Sequence, residues 1–117
     1  MDEVDKILTK AAKILKTHKH CKGVLAKNKH GEQVHPLDKK AVSFCLSGAL
    51  LRADNNRVPS EVYERIIRAH PNLRKGYDSC AFGVIPNWND KPSTRKSTVI
   101  NLLLKSRTTV GKKNSNG

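Results

Sequence analysis

An amphipathic pattern near the start of the chain constrains its fold more than any other feature. Apolar residues recur every three or four positions over residues 4–18, which is the spacing of one face of an α-helix. Lysines fall on the opposite face, and Asp2 and Glu3 precede the pattern, where the helix dipole favours negative charge. We therefore expect a helix that packs its apolar stripe on a core and turns its lysines outward. The stripe consists of Val4, Ile7, Leu8, Ala11, Ile14 and Leu15.

The size and composition of the chain predict one helical domain with an aliphatic core. Its 117 residues are typical of a single domain, and only 4% of them are aromatic, so Leu, Ile, Val and Ala must fill the interior. We expect the globular domain to cover residues 1–107. The segment 108–117 has lysines but no apolar periodicity, which predicts a disordered basic tail.

The cysteines and the apolar runs indicate where such a chain resides. Cys21, Cys45 and Cys80 are odd in number and lack the spacing of a disulfide framework. Free thiols are typical of a reducing compartment, so we expect a cytoplasmic protein. No apolar run approaches the roughly 18 residues of a membrane span, and no secretory signal pattern precedes the first helix, so no membrane partner is expected.

A second helix is predicted over about residues 39–53, with Asp38 as its N-cap. Its apolar residues nearly encircle it, which is typical of a buried central element. Gly48 lies inside this helix, where glycine costs about 1 kcal/mol relative to alanine. The glycine therefore predicts the close approach of another backbone.

The rest of the chain completes a mainly α fold, with α+β as the alternative: about four helices around the buried central one. The third helix begins at Pro59-Ser60 and ends at about 70, and the last is capped by Ser93 and covers about 94–107. Residues 72–92 contain glycines and prolines and are predicted to be irregular. A small two-stranded ribbon is expected at 23–35, with a loop over the core as the alternative. The residues expected to be buried together are Leu8, Cys45, Ala49, Leu50, Ile66, Val99 and Leu103.

The formal net charge of +13 is the strongest indication of a partner class. Eight lysines and no acid lie between Lys6 and Lys29, and seven basic residues without an acid follow from Lys91 onward. Such a field attracts polyanions, and an excess of lysine over arginine favours contact with phosphates over the reading of base edges. A solvated lysine surface without a partner is the alternative. The predicted nucleic-acid-binding residues are Lys6, Lys10, Lys13, Lys16, Lys19, Lys22, Lys91, Arg95 and Lys96.

A second candidate site is the segment Asn87, Trp88, Asn89 and Asp90. An exposed tryptophan beside polar side chains could stack on a base or anchor a protein partner. Alternatively, Trp88 fills the core while Asn89 and Asp90 hydrogen-bond the turn before the last helix. We favour this structural interpretation, because turn chemistry alone explains an Asn-Asp pair there.

Enzymatic and metal sites find little support in the sequence. A thiol near a helix N-terminus can be a nucleophile, and His35 or His70 could serve Cys45 as a base, but the apolar neighbours of Cys45 favour a buried thiol. His18, His20 and Cys21 are suitable zinc ligands, yet their spacing matches no standard zinc site. The other candidate ligands in the chain are His30, His35, His70 and Cys80. We expect no catalytic residue, no metal and no cofactor.

Two short motifs carry a resemblance to a known family. They are Phe44–Leu50, which reads Phe-Cys-Leu-Ser-Gly-Ala-Leu, and Asn87–Asp90, which precedes Pro92–Arg95 and a leucine-rich helix. Together they resemble a small domain family of unknown function found in bacteria and phages, over about residues 5–107. The resemblance implies a helical architecture and a bacterial or phage setting, and it brings no established activity. The lysine richness of this chain departs from the family pattern, so the family does not imply a nucleic-acid role.

Three functional hypotheses follow. The leading one is a non-enzymatic phage or bacterial accessory protein that binds DNA or RNA with little sequence preference through its lysines. The alternative is a protein-interaction module that binds and modulates a host or defence protein, with lysines that steer it to an acidic partner. The third is a cysteine-dependent enzyme.

Overall fold

Five helices and a small sheet are found in the part of the chain that the computed structural model describes, residues 2–55, 57–70, 73 and 81–107. The predicted mainly α fold is confirmed. The tail predicted at 108–117 lies outside the described residues. In chain order the elements are α1 (Glu3–Thr17), β1 (Lys19–His20), β2 (Ala26–Lys27), β3 (Ser43–Phe44), α2 (Leu46–Ala53), α3 (Ser60–Ala69), α4 (Ala81–Asn89) and α5 (Lys96–Lys105).

Helix α1 confirms the amphipathic pattern that begins the sequence. Asp2 is its N-cap, and the Oδ1 atom of Asp2 accepts a hydrogen bond from the backbone N–H of Asp5 at 2.7 Å. This bond satisfies one of the donors that the first turn of a helix leaves unpaired. The apolar stripe packs on α2 and α5. Its residues Leu8, Ala11 and Leu15 have no exposed surface.

An acid–arginine network joins the start of α1 to α3. The guanidinium of Arg65 contacts the carboxylates of Asp2 at 2.9 Å, Asp5 at 2.8 Å and Glu61 at 3.2 Å. The Asp5 side chain is only 1% exposed, so its charge is buried together with that of its partner. Pairing of this kind is what makes a buried carboxylate tolerable.

The network predicts a dependence of stability on pH. The hydrogen bond from Arg65 lowers the pKa of Asp2 below its ordinary value of 3.8. A carboxyl whose pKa is lower in the folded state stabilises the fold above its unfolded pKa and loses that effect as the pH falls through its folded pKa. We expect Asp2→Asn, which keeps a capping side chain, to have a lower urea midpoint than the wild type at about pH 7, and the difference to shrink as the pH falls below about 4. A difference that persists at low pH would contradict this role.

The sheet has the order β1-β3-β2, with β3 parallel to β1 and antiparallel to β2. The ribbon predicted at 23–35 is present as β2 and one antiparallel bridge between Lys27 and Gln33. Sequence patterns do not show that two distant segments join it. Phe44, with no exposed surface, lies at the centre of the sheet on the face that packs on the core.

The predicted start of the second helix is wrong. Helix α2 begins at Leu46, not at residue 39, because the segment before it is strand β3. Asp38 therefore does not cap a helix; its Oδ1 accepts the backbone N–H of Lys40 in a local turn at 2.8 Å. Backbone pairing on both edges of β3 outweighs the apolar pattern that favoured a longer helix. The N-cap is Cys45, and five of the eight residues of α2 are buried, as expected of a central element.

Gly48 confirms the predicted close approach of another backbone. A Cβ atom built on Gly48 would lie 1.9 Å from the carbonyl oxygen of Leu25. The same carbonyl accepts the N–H of Cys45 at 3.1 Å, which fixes the chain there. The first turn of α2 thus packs directly against the backbone between β1 and β2.

The segment predicted to be irregular contains helix α4. Gly83 and Pro86 suggested a loop, but Ile85 and Trp88 are buried at 0% and 7% exposure, and their burial stabilises the helix around Pro86. The parts of this prediction at 72 and at 74–80 lie outside the described residues. Helix α5 begins at Lys96 with Arg95 as N-cap, so Ser93 is not its cap.

All seven residues expected to be buried together are buried. Cys45 is 5% exposed, and the other six have no exposed surface. They come from α1, α2, α3 and α5 and from the residue before α2. These seven positions alone therefore connect four of the five described helices through the core. Trp88 of α4 packs against the same core.

Candidate nucleic-acid interface

The lysine ridge, defined as Lys6, Lys10, Lys13 and Lys16, lies on the outer face of α1. All four side chains are exposed. Ten residues of α-helix separate the first from the last, a distance of about 15 Å along the axis. Three of them line a surface hollow together with Thr9, Ile14 and Thr17. The sequence correctly predicts this face as the one turned away from the core.

The other five predicted basic residues come together where the end of α1 meets the start of α5. The ammonium of Lys22 donates to the carbonyl of Lys91, and that of Lys96 donates to the carbonyl of His18 at 2.5 Å. These bonds place residues 18–22 beside residues 91–96. We call Lys19, Lys22, Lys91, Arg95 and Lys96 the junction cluster.

Two members of the junction cluster have a structural role. His18 is the C-cap of α1, so Lys96 places a positive charge where the helix dipole is negative and satisfies a carbonyl there. Lys22 likewise ties the segment after β1 to the loop before α5. Because replacing either residue would disturb the fold, the lysine ridge is the better surface for testing binding.

Two further basic residues, one beside the junction cluster and one beside the ridge, escape prediction from sequence. Lys27 stands in one row with Lys19, because both pair with Ser43 across the sheet. Arg107, just after α5, donates to the hydroxyl of Thr9 at 3.3 Å, beside the ridge. Sequence patterns lack any signal for Lys27, since its place depends on the pairing of distant strands. They also do not show that Arg107, at the end of the last helix, lies beside α1.

Arginines hold the described acidic residues that form ion pairs. In the described part of the chain, every ion pair uses Arg65 or Arg68, and the acids are Asp2, Asp5 and Glu61. No ridge lysine takes part in these pairs. The ridge therefore keeps its positive charge available to an external anion.

Asn89 is a buried hydrogen-bonding hub. Its Oδ1 accepts from the backbone N–H of Leu46 at 3.0 Å and from Nε2 of His20 at 2.7 Å. Its Nδ2 donates to the carbonyl of Cys21 at 3.2 Å and to Asp90 at 3.0 Å. The backbone donor and acceptor fix the orientation of the amide, so His20 must carry a proton on Nε2. Asn89 thereby joins α4 to β1 and to the start of α2.

The neighbours of Asn89 also have structural partners. Trp88 is buried, with its ring edge-on to His70 at 5.2 Å, and its carbonyl accepts the hydroxyl of Thr94 at 2.7 Å. Asp90 accepts the backbone N–H of Gly23 at 3.0 Å. Asn89 and Asp90 therefore bind the segment at 20–23 rather than the turn before α5, which Thr94 holds instead. Asn87 is exposed.

The environment of Cys45 does not activate its thiol. Burial raises the pKa of Cys45 to about 11, although its Sγ accepts the N–H of Gly48 at 3.3 Å. Burial also raises the pKa of Cys21. A reactive cysteine needs the opposite shift. Of its proposed bases, His35 accepts the N–H of Leu37 and His70 packs on Trp88.

Among the described residues, no three His, Cys, Asp or Glu side chains converge as they would around a metal ion. Cys80, one of the candidate ligands, lies outside those residues. In the same part of the chain, no helix combines the length and the apolar character needed to cross a membrane.

Comparison with known proteins identifies a family whose function is unknown. No curated protein and no solved structure matches the chain. The model of a family of unknown function, DUF6197, matches residues 1–108, which include the whole described structure and both motifs noted in the sequence. The chain belongs to this family.

Proposed function

We propose that this protein is a non-enzymatic accessory protein, of bacterial or phage origin, that binds nucleic acid through the lysine ridge with little sequence preference. One observation carries the proposal: four exposed lysines line one face of a helix whose opposite face is locked in the core, and no described acid pairs with them. Lysines so placed neutralise phosphates and release counterions, which drives binding without base readout.

Charge reversal of the ridge tests the proposal. Replacing all four ridge lysines by glutamate is expected to reduce binding to DNA and RNA at least about 100-fold at about 50 mM salt, because each site changes from attraction to repulsion. Gel shift and fluorescence anisotropy with unrelated sequences measure the loss. The circular dichroism spectrum should not change, since the ridge lies opposite the apolar stripe.

A matched control separates the ridge from net charge. Four exposed lysines elsewhere, replaced by glutamate, lower the formal net charge from +13 to the same +5. Each set includes one last-turn lysine, Lys16 of α1 or Lys105 of α5, so both variants carry the same unfavourable change at a helix end. The control set is Lys29, Lys39, Lys40 and Lys105.

The control variant should keep most of the affinity. Equal losses in the two variants would show that net charge, not the ridge, drives binding. A wild-type protein without affinity for DNA or RNA at about 50 mM salt would refute the proposal. An acidic protein partner would then be the better hypothesis for the same lysines.

A further inference from the structure

The lysine ridge stands on a rigid helix. The helix that carries it is anchored by Leu8 and Leu15, which have no exposed surface, and by the N-cap at Asp2. The ridge lysines therefore project from a straight, stiff helix along about 15 Å of its axis. A partner that binds all four must present its phosphates along a matching line.

The described aromatic side chains are turned inward. Phe44 has no exposed surface, and Tyr63 and Trp88 are each 7% exposed. The ring of Phe44 meets the ring of His18 edge-on at 5.3 Å, inside the fold. Proteins that bind single strands gain about 1–3 kcal/mol for each base that stacks on an exposed aromatic ring. These three rings cannot supply that contact, and the lysine ammonium has no flat surface for a base.

Duplex and single-stranded partners differ in the conformational entropy they lose, and in the counterions they release, when they bind such a ridge. A duplex is stiff over about 150 base pairs, so its phosphates are already aligned. A single strand must give up its own conformational freedom to follow a straight helix, and none of the three described rings offers stacking to repay that loss. A duplex also releases about 0.9 counterions for each neutralised phosphate, against about 0.7 for a single strand.

We propose that the lysine ridge binds the phosphate backbone of double-stranded nucleic acid in preference to single strands. This inference rests on the proposed function and narrows its ligand. If a duplex and a single strand bind equally at about 1 M salt, four phosphate contacts make the duplex bind about sixfold tighter at about 0.1 M salt, because each contact releases more counterions from the duplex. The ordering of the single strand adds to that ratio.

Fluorescence anisotropy with two probes tests the preference. One is a duplex of about 20 base pairs, which exceeds the roughly 22 Å length of α1; the other is an oligothymidylate of the same number of nucleotides, which forms no internal pairs. Both are titrated with the full chain at about 0.1 M salt, and an RNA duplex with its separated strand repeats the comparison. The ridge variant with four glutamates shows which part of the binding belongs to the ridge.

The expected result is a dissociation constant at least about sixfold lower for each duplex than for the corresponding strand, with the preference lost in the ridge variant. Equal binding, or tighter binding of the single strand, would overturn the inference and leave the proposed function standing. Failure of the wild type to bind any probe would overturn both. A preference that survives in the ridge variant would place the duplex site elsewhere and also overturn the inference.

Discussion

Gly48→Ala is expected to destabilise the fold by at least about 3 kcal/mol, at the upper end of what overpacking costs. The new methyl carbon would lie 1.9 Å from the carbonyl oxygen of Leu25, far inside contact distance. This oxygen belongs to the backbone and also holds the N–H of Cys45, so it cannot swing aside as the end of a side chain would. Either α2 or the segment between β1 and β2 must shift, and both carry core residues.

Gly31→Ala is the matched control for this substitution. Gly31 has φ of +81°, but a Cβ there would meet nothing within 4 Å. Its replacement should cost only the backbone strain of a left-handed residue, about 1–2 kcal/mol. The urea midpoints of the two variants compare the cost of steric overlap, in Gly48→Ala, with the cost of backbone strain, in Gly31→Ala. A Gly48→Ala midpoint as high as that of Gly31→Ala would show that the two backbones are not in contact.

Asn89→Ala is expected to cost about 2–6 kcal/mol, since it leaves two buried backbone groups unpaired at about 1–3 kcal/mol each. These groups are the N–H of Leu46 and the carbonyl of Cys21. They belong to different elements, so the substitution removes the polar connection of α4 with both α2 and β1. Urea denaturation measures the loss.

Asn87→Ala provides the internal comparison for Asn89. It removes the same side chain two positions earlier in α4, where the residue is exposed. An exposed position of this kind changes stability by no more than about 0.5 kcal/mol. Similar unfolding midpoints for the two variants would contradict the structural role of Asn89 and restore the hypothesis that the segment at 87–90 binds a ligand.

Periodicity predicts the parts of this fold whose burial is decided locally. The stripe of α1 repeats over four turns, and the buried positions Leu50 and Leu103 follow from the same rule. The start of α2 does not, because the sequence around residues 43–44 is compatible with either a strand or a helix, and pairing with β1 and β2 decides between them. The prediction of an irregular segment around Pro86 is wrong for a similar reason: burial of the neighbouring side chains outweighs the preference of proline for loops.

The candidate site was also only partly visible in the sequence. The ridge follows directly from helical geometry, since its lysines share the face opposite the stripe. The hydrogen bonds of Lys22 and Lys96 to carbonyls do not, because their acceptors lie 69 and 78 residues away along the chain. For Asn89, turn chemistry predicted hydrogen bonds to the turn before the last helix, whereas its partners lie at β1 and α2 and depend on the tertiary fold.

The dependence of affinity on salt is the most direct test of binding by the lysine ridge. The logarithm of the association constant for a duplex of unrelated sequence should fall linearly with the logarithm of salt concentration, with a slope of about −3.6 or steeper for four or more phosphates. Replacing one ridge lysine by alanine should make that slope shallower by about one, whatever the sequence of the duplex. An affinity that does not change with salt, or a slope that the ridge substitutions leave unaltered, would contradict the proposed function.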